Sequence, residues 1–300
     1  LAVPENTIRT YKASGKLMLF GEYLVLNGSD CLAFPLKFGQ TLSVTKSDDN
    51  IIWESYSKHG SWFSASMNND FTILETNNEE VAEILRQLFI VIRAEKPDLD
   101  FKQKFRAEAN FELNWGLGSS STLISLLSQW SGVEAKKLLD ASFGGSGYDV
   151  ACATAEGPIV YANGKIRKEA HLPESITNKL LFVYLGNKQN SREEIKRFKN
   201  KNVAQHQVDA INAMISTAIQ TDEIDVFEQQ LNLSEELISS IIETIQLKQR
   251  LFADYPYSIK SLGAWGGDFF LATYRDLKTA KVYFEEKGYD TLFTYQEFIK

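Results

Sequence analysis

The chain has 300 residues, 44% hydrophobic and 24% charged, a balance that fits a folded globular protein of one large or two intimate domains. A net charge of −7 argues against a general nucleic-acid or membrane-surface binder, while a local basic pocket could still attract an acidic small-molecule substrate. The two cysteines, Cys31 and Cys152, lack metal-site spacing and suggest a reducing compartment. With no bilayer-length apolar run and no signal-peptide core, cytoplasm is the expected location.

In chain order, Ile8–Ala13, Leu17–Phe20, Cys31–Thr45 and Ile51–Tyr56 read as strands, with Asp48-Asp49-Asn50 as a turn and Ser61–Met67 as a further candidate. Val81, Ile84, Leu85, Leu88 and Ile92 fall at helical spacing, and Pro97 lies just past that helix. From Phe101 to Asn114 apolar residues hold one parity with a single exception, the signature of a half-buried strand. A glycine loop comes next, then a buried helix through Leu123, Ile124, Leu126, Leu127 and Trp130. A short helix spans Glu134–Ser142, and strands lie near Ile159–Tyr161 and Lys165–Glu169. His171–Lys179 looks like a boundary, so the expected domains are 1–170 and 171–300. Beyond it come a strand at Leu180–Leu185, helices over much of Ser191–Phe252, strands at Ser258–Ala264 and Asp268–Tyr274, a helix at Leu277–Lys287 and a last strand at Thr291–Tyr295. The pattern is α+β.

Three glycine clusters punctuate this order. Asn114-Trp115-Gly116-Leu117-Gly118-Ser119-Ser120-Ser121-Thr122 joins a strand to a helix. Glycines let backbone N–H groups approach an anion, and the first helical turn offers unsatisfied N–H groups and the positive end of the helix dipole. The same residues also suit a plain glycine turn with a serine cap. The segment is neither a Walker A loop nor a dinucleotide fingerprint, since Gly15-Lys16 is followed by Leu17 and Ser121 stands where a third glycine is needed. Upstream, Lys16 and Glu22 flank a short apolar run. The lysine suits charge neutralisation at a transferring phosphoryl group, or is simply exposed. In Gly144-Gly145-Ser146-Gly147-Tyr148-Asp149, Asp149 suits proton acceptance from a hydroxyl, or caps the next helix. The third cluster, Gly263-Ala264-Trp265-Gly266-Gly267-Asp268, suits phosphate approach or a tight hairpin.

Taken in order, Gly-Lys-x-x-x-x-Gly-Glu-Tyr, Gly-Leu-Gly-Ser-Ser and Gly-Ala-x-Gly-Gly-Asp resemble the three signature motifs of the GHMP kinases. That family includes galactokinase, homoserine kinase, mevalonate kinase and phosphomevalonate kinase. The resemblance runs from Ala13 to Phe270 and is nearest to the mevalonate and phosphomevalonate branch. It implies an N-terminal domain like ribosomal protein S5 domain 2, a ferredoxin-like C-terminal domain, and an active site between them using ATP and Mg²⁺. Carried over by position, Gly116, Leu117, Gly118, Ser119, Ser120 and Ser121 would hold the phosphates, and Ser120 would also be a metal ligand. Lys16 and Asp149 would be catalytic. Glu22, Ser146, Gly147, Lys188, Ser191, Gly263, Gly266, Gly267 and Asp268 would form the substrate side. The implied reaction moves the γ-phosphoryl group of ATP to phosphomevalonate or mevalonate. An ATP-dependent decarboxylase of the same fold and an inactive nucleotide-binding homologue are the alternatives. Three departures stand out. Trp265 replaces a usual glycine and would leave the third loop less able to wrap phosphate. Tyr23 replaces a frequent histidine. Leu138 falls where mevalonate kinase has its magnesium glutamate, which leaves Asp140 as the nearest carboxylate substitute.

Overall fold

The computed structural model describes residues 8–186, 194, 196, 198, 200–263, 265 and 268–300. The chain forms two compact units: Leu1–Gly15, Phe38–Leu113 and Leu117–Thr154 make the first, and Lys16–Lys37, Asn114–Gly116 and Ala155–Lys300 the second. These units interleave along the chain, whereas the sequence suggested a single division at 170/171. The reason is the length of two strands, β1 (Arg9–Phe20) and β2 (Cys31–Lys46), which pair with each other and each contribute to both units. Ser14-Gly15-Lys16 does not break β1. Gly15 stays within the strand and buried, so the two expected strands are one.

In the first unit, β2 continues through β6 (Gln103–Ala109), β3 (Ile51–Ser57), β4 (Gly60–Met67) and β5 (Ile73–Thr76), in the order β5-β4-β3-β6-β2. The β3–β6 pair is parallel and the others are antiparallel. The expected alternation appears in β6, where Gln103, Phe105, Ala107 and Ala109 are buried and the intervening residues are not. Pairing stops there because Asn110 turns its side chain back, its Oδ1 accepting the Gly39 N–H at 2.7 Å. The helices are α1 (Glu79–Glu95), α2 (Ser119–Ser131), α3 (Ala135–Asp140) and α4 (Tyr148–Ala153). Asn78 starts α1 by accepting the Val81 N–H at 3.1 Å, and Glu79 and Glu80 suit the positive end of its dipole. Leu85, Leu88, Phe89 and Ile92 of α1 enter the core, where Phe105 stacks on Trp53 at 5.4 Å and meets Trp130 edge-on at 4.8 Å. Burying each large side chain contributes roughly 2–3 kcal/mol.

The second unit holds β9 (Leu180–Tyr184), β10 (Ile259–Ser261), β11 (Phe269–Thr273) and β12 (Leu292–Thr294) in an antiparallel sheet ordered β10-β11-β9-β12. Helices Gln205–Gln220, Ile224–Ile242 and Leu247–Leu251 lie between β9 and β10, and Leu277–Glu286 between β11 and β12. Strand, helix, strand, strand, helix, strand with this order is the split βαβ, ferredoxin-like arrangement. Phe252, Phe270 and Phe284 centre its core. Strands β7 (Ile159–Ala162) and β8 (Lys165–Glu169) extend the start of β2, through Cys31–Ala33 against Ile159–Tyr161. The expected last strand stops at Thr294, which caps the helix Tyr295–Phe298 reciprocally with Glu297.

Candidate functional site

The middle loop owes its path to Gly116 (φ +70°) and Gly118 (φ +94°), both in the left-handed region that favours glycine. Gly118 is the N-cap of α2 and supplies no capping side chain. The first helical hydrogen bond runs from Thr122 N–H to Gly118 O at 3.0 Å, so the N–H groups of Ser119, Ser120 and Ser121 precede it. Leu117 is buried and anchors the loop. The four hydroxyls then divide. Ser121 donates to Gly118 O at 2.9 Å, and Thr122 to Gly118 O at 3.1 Å and Ser119 O at 3.0 Å. Ser119 and Ser120, both half-buried, make no side-chain hydrogen bond to a described residue. An uncapped helix start with two uncommitted hydroxyls is chemically an anion cradle.

Helix α4 packs against α2 in the same unit. It begins after Gly147 (φ +88°) and carries Asp149 in its first turn, not at its cap. Asp149 is half-buried, and its Oδ1 accepts the Val150 N–H at 3.0 Å. Ser146 is half-buried and Gly147 buried just before it. Asp140 lies at the end of α3, where its carboxylate is exposed and paired with Lys136 one helical turn earlier. Among the described residues no group of three His, Cys, Asp or Glu side chains is arranged to hold a metal ion.

In the second unit, Lys16 projects from β1, half-buried, and its Nζ donates to Gly116 O at 3.2 Å. The Asp268 carboxylate lies over Gly116 so closely that a Cβ there would come within 2.1 Å of its Cγ. Tyr184 donates its hydroxyl to Asn114 O at 3.1 Å, and both burial and the Asp268 charge raise its pKa. Trp115 packs on Tyr184 and Phe269. The third glycine turn opens with Gly263 (φ +63°), and Trp265 itself takes φ +42°, the left-handed geometry a glycine would adopt. Its ring is buried, with the Lys260 ammonium 5.8 Å from the ring centroid. Trp265 therefore keeps a glycine-like backbone at its own position. Gly266, Gly267, Lys188 and Ser191 lie outside the described residues.

Glu22 turns inward. Only 1% exposed, it pairs through Oε1 with Lys260 Nζ, while Oε2 has no hydrogen-bond partner among the described residues. Lys260 also reaches Glu235 Oε1 at 3.3 Å. Burial pushes both carboxyls up, Glu235 to about 7, with the Lys260 ammonium pulling in the opposite direction. The two carboxylates raise the Lys260 pKa against its own desolvation. Sequence reasoning missed Lys260 and Glu235. The available signal was a lysine inside the buried run Ile259-Lys260-Ser261-Leu262.

The sheet orders, the glycine loop at a helix start and the split βαβ unit define the α+β fold of the GHMP kinases. Mevalonate kinase from Methanococcus jannaschii superposes with a TM-score of 0.69 at 18% identity, over 97% of this chain and 98% of that one. Phosphomevalonate kinase from Streptococcus pneumoniae, in complex with phosphomevalonate and AMPPNP, gives 0.70 at 16% identity over 93% and 96%. Galactokinase from Lactococcus lactis, complexed with galactose, gives 0.67 at 14% over 95% and 92%. No family profile and no curated protein matches the sequence. No helix among the described residues is long and apolar enough to cross a membrane.

Proposed function

We propose that this protein is an ATP-dependent phosphotransferase that moves the γ-phosphoryl group to a small mevalonate-type acid, phosphomevalonate or mevalonate. The observation that carries this reading is the uncapped start of α2, with Ser119 and Ser120 uncommitted, in a fold shared with small-molecule kinases. The N–H groups of Ser119–Ser121 and the two free hydroxyls bind the nucleotide phosphates. Magnesium in such sites takes one or two protein ligands and fills the rest of its shell with phosphate and water. The Ser120 hydroxyl fits that demand, whereas Asp140 is committed to Lys136. Bound there, the ion would neutralise charge on the phosphates.

Lys16 stabilises negative charge at the transferring group, and Gly116 O holds its ammonium in place. Asp149 takes or orients the proton of a hydroxyl acceptor; for a phosphate acceptor, which needs no strong base, it acts by positioning. Lys188 and Ser191 are assigned to the acidic end of the acceptor, on the family motif alone. The test is MgATP-dependent ADP release against mevalonate, phosphomevalonate, homoserine and several sugars. Turnover confined to a mevalonate-type acid supports the proposal. Turnover of a sugar overturns the acceptor assignment, and carbon dioxide release identifies a decarboxylase. Nucleotide binding without turnover of any acceptor identifies a homologue that has lost catalysis.

A further inference from the structure

One lysine and two glutamates are buried together within the second unit. Lys260 is 0% exposed, Glu22 1% and Glu235 1%. Lys260 lies in β10, Glu235 in the helix Ile224–Ile242, and Glu22 two residues past β1. With all three ionised, the cluster would keep a net negative charge away from water. An unbalanced buried charge costs far more than a neutral carboxyl. Two carboxyls in one site therefore retain a proton between them, because the first charge disfavours the second.

The hydrogen bonds distinguish the two. A lysine ammonium has three N–H donors. Those of Lys260 are all committed, to Glu22 Oε1, to Glu235 Oε1 at 3.3 Å and to Ser261 O at 2.9 Å. Glu235 Oε1 also accepts the Ser261 N–H at 2.9 Å, and its Oε2 accepts the Ser261 hydroxyl at 3.1 Å. Both Glu235 oxygens are thus supplied with donors, the surroundings that favour a carboxylate. Glu22 Oε1 takes Lys260 alone, and its buried Oε2 has no hydrogen-bond partner. An unpaired hydroxyl costs much less there than an unpaired share of a negative charge. We propose that at and above neutral pH the folded protein keeps Glu22 as a neutral carboxylic acid, with its proton on Oε2, while Glu235 carries the one carboxylate charge that Lys260 balances.

Glu22 is then no charged ligand for an acceptor or a metal ion. It joins β10 to the segment after β1 as a pH-sensitive latch, since losing the proton puts two buried carboxylates on one ammonium. The charged groups acting on Glu235 are Lys260 and Glu22; Glu22 feels Lys260 and its own backbone amide. Beside them the Tyr23 hydroxyl is pushed up by burial, then by Glu194 and Glu22. Burial raises both carboxyls, Glu235 to about 7. The unfolded chain ionises Glu22 at its ordinary 4.5, so above pH 7 the folded state holds one more proton on this residue. Stability then falls as the pH rises, by about tenfold in the unfolding constant per pH unit.

The test compares wild type, Glu22→Gln and Glu235→Gln by urea unfolding from pH 5 to pH 8.5, with circular dichroism to confirm folding. Infrared difference spectra in H2O and D2O report the C=O stretch of a neutral carboxylic acid, which a carboxylate lacks. Glutamine has the shape of the neutral acid, so Glu22→Gln should fold and match wild type at pH 5 to within about fivefold in the unfolding constant. From pH 7 to pH 8.5 it should gain on wild type by about tenfold per pH unit, because it has no proton to lose on unfolding. Glu235→Gln deletes the charge that has a full set of donors, and should be the less stable of the two variants at pH 8.5. Wild type at pH 8.5 should show the neutral-acid band, and Glu22→Gln should not. A wild type without that band overturns the proposal. So does a Glu22→Gln variant that fails to fold or gains nothing with pH, or a Glu235→Gln variant that is the more stable at pH 8.5. No readout involves a nucleotide, so the result is independent of the kinase reading.

Discussion

Replacing Gly116 by alanine tests the closest approach in the site. The residue sits at φ +70°, where a side chain costs about 1–2 kcal/mol. Its new Cβ would also lie 2.1 Å from Asp268 Cγ and Oδ2 and 2.4 Å from Oδ1. Relieving that overlap means moving the carboxylate by more than an ångström, an overpacking cost of about 1–3 kcal/mol. Gly116→Ala should therefore lose about 2–5 kcal/mol of unfolding free energy. In an Asp268→Ala background the three nearest crowding atoms are gone and the backbone term, about 1–2 kcal/mol, dominates. The double-mutant cycle should yield a coupling of about 1–3 kcal/mol, read from urea unfolding by far-UV circular dichroism and tryptophan fluorescence. Additivity to within about 0.5 kcal/mol would show that the two groups do not meet, and the argument for the loop's geometry would fall.

Other contacts described above set five further outcomes. Ser120→Ala should weaken MgATP binding and leave the melting temperature unchanged. Ser121→Ala, whose hydroxyl bonds Gly118 O, should lose about 1 kcal/mol of stability instead; equal effects from both would contradict the division of hydroxyls. Lys16→Met should cut kcat at least about a hundredfold with far smaller changes in nucleotide affinity, measured by steady-state kinetics and calorimetry. Because Glu235 holds its proton up to about 7 against an ordinary 4.5, the folded state binds more protons than the unfolded chain between those values. Its stabilising contribution is full below pH 4.5 and declines by about 3 kcal/mol as the pH rises through 7. Urea midpoints at pH 5 and pH 8 should show a larger decline in wild type than in Glu235→Gln, which keeps only the contribution of Glu22. Phe105→Ala, at the meeting of Trp53 and Trp130, should cost about 3–5 kcal/mol in the same unfolding assay.

The local parts of the site were legible because their chemistry is contiguous in sequence. Glycines before a hydroxyl run announced the start of α2, and the parity of residues 103–109 announced β6. Lys16 was legible from its glycine neighbour, though not its bond to Gly116 O, which joins positions 100 residues apart. The Glu22–Lys260–Glu235 cluster left almost no trace, since its outer members are 238 residues apart and each residue type is ordinarily exposed. Secondary structure failed where tertiary packing overrode local signals. Gly15 stays in β1, itself buried between the buried Ala13 and Leu17. Strand β5 left little signal because Leu74 is exposed and the strand is only four residues long. The polar cap at Thr294 turned an expected strand end into a helix.

The interleaving of the two units bears on how the protein is made. The second unit joins stretches far apart in sequence: Lys300 N–H donates to Pro35 O at 2.9 Å, and Ile299 bridges Leu36. Leu17–Phe20, a fully apolar run, belongs to the same unit and leaves the ribosome early. Phe20 meets Phe227 edge-on, so at roughly 5–20 residues per second the nascent chain carries that run for roughly 10–40 s before this partner is made. Chaperone demand during translation should therefore concentrate on Leu17–Phe20, and a chain stalled short of Phe227 should remain bound to its chaperone.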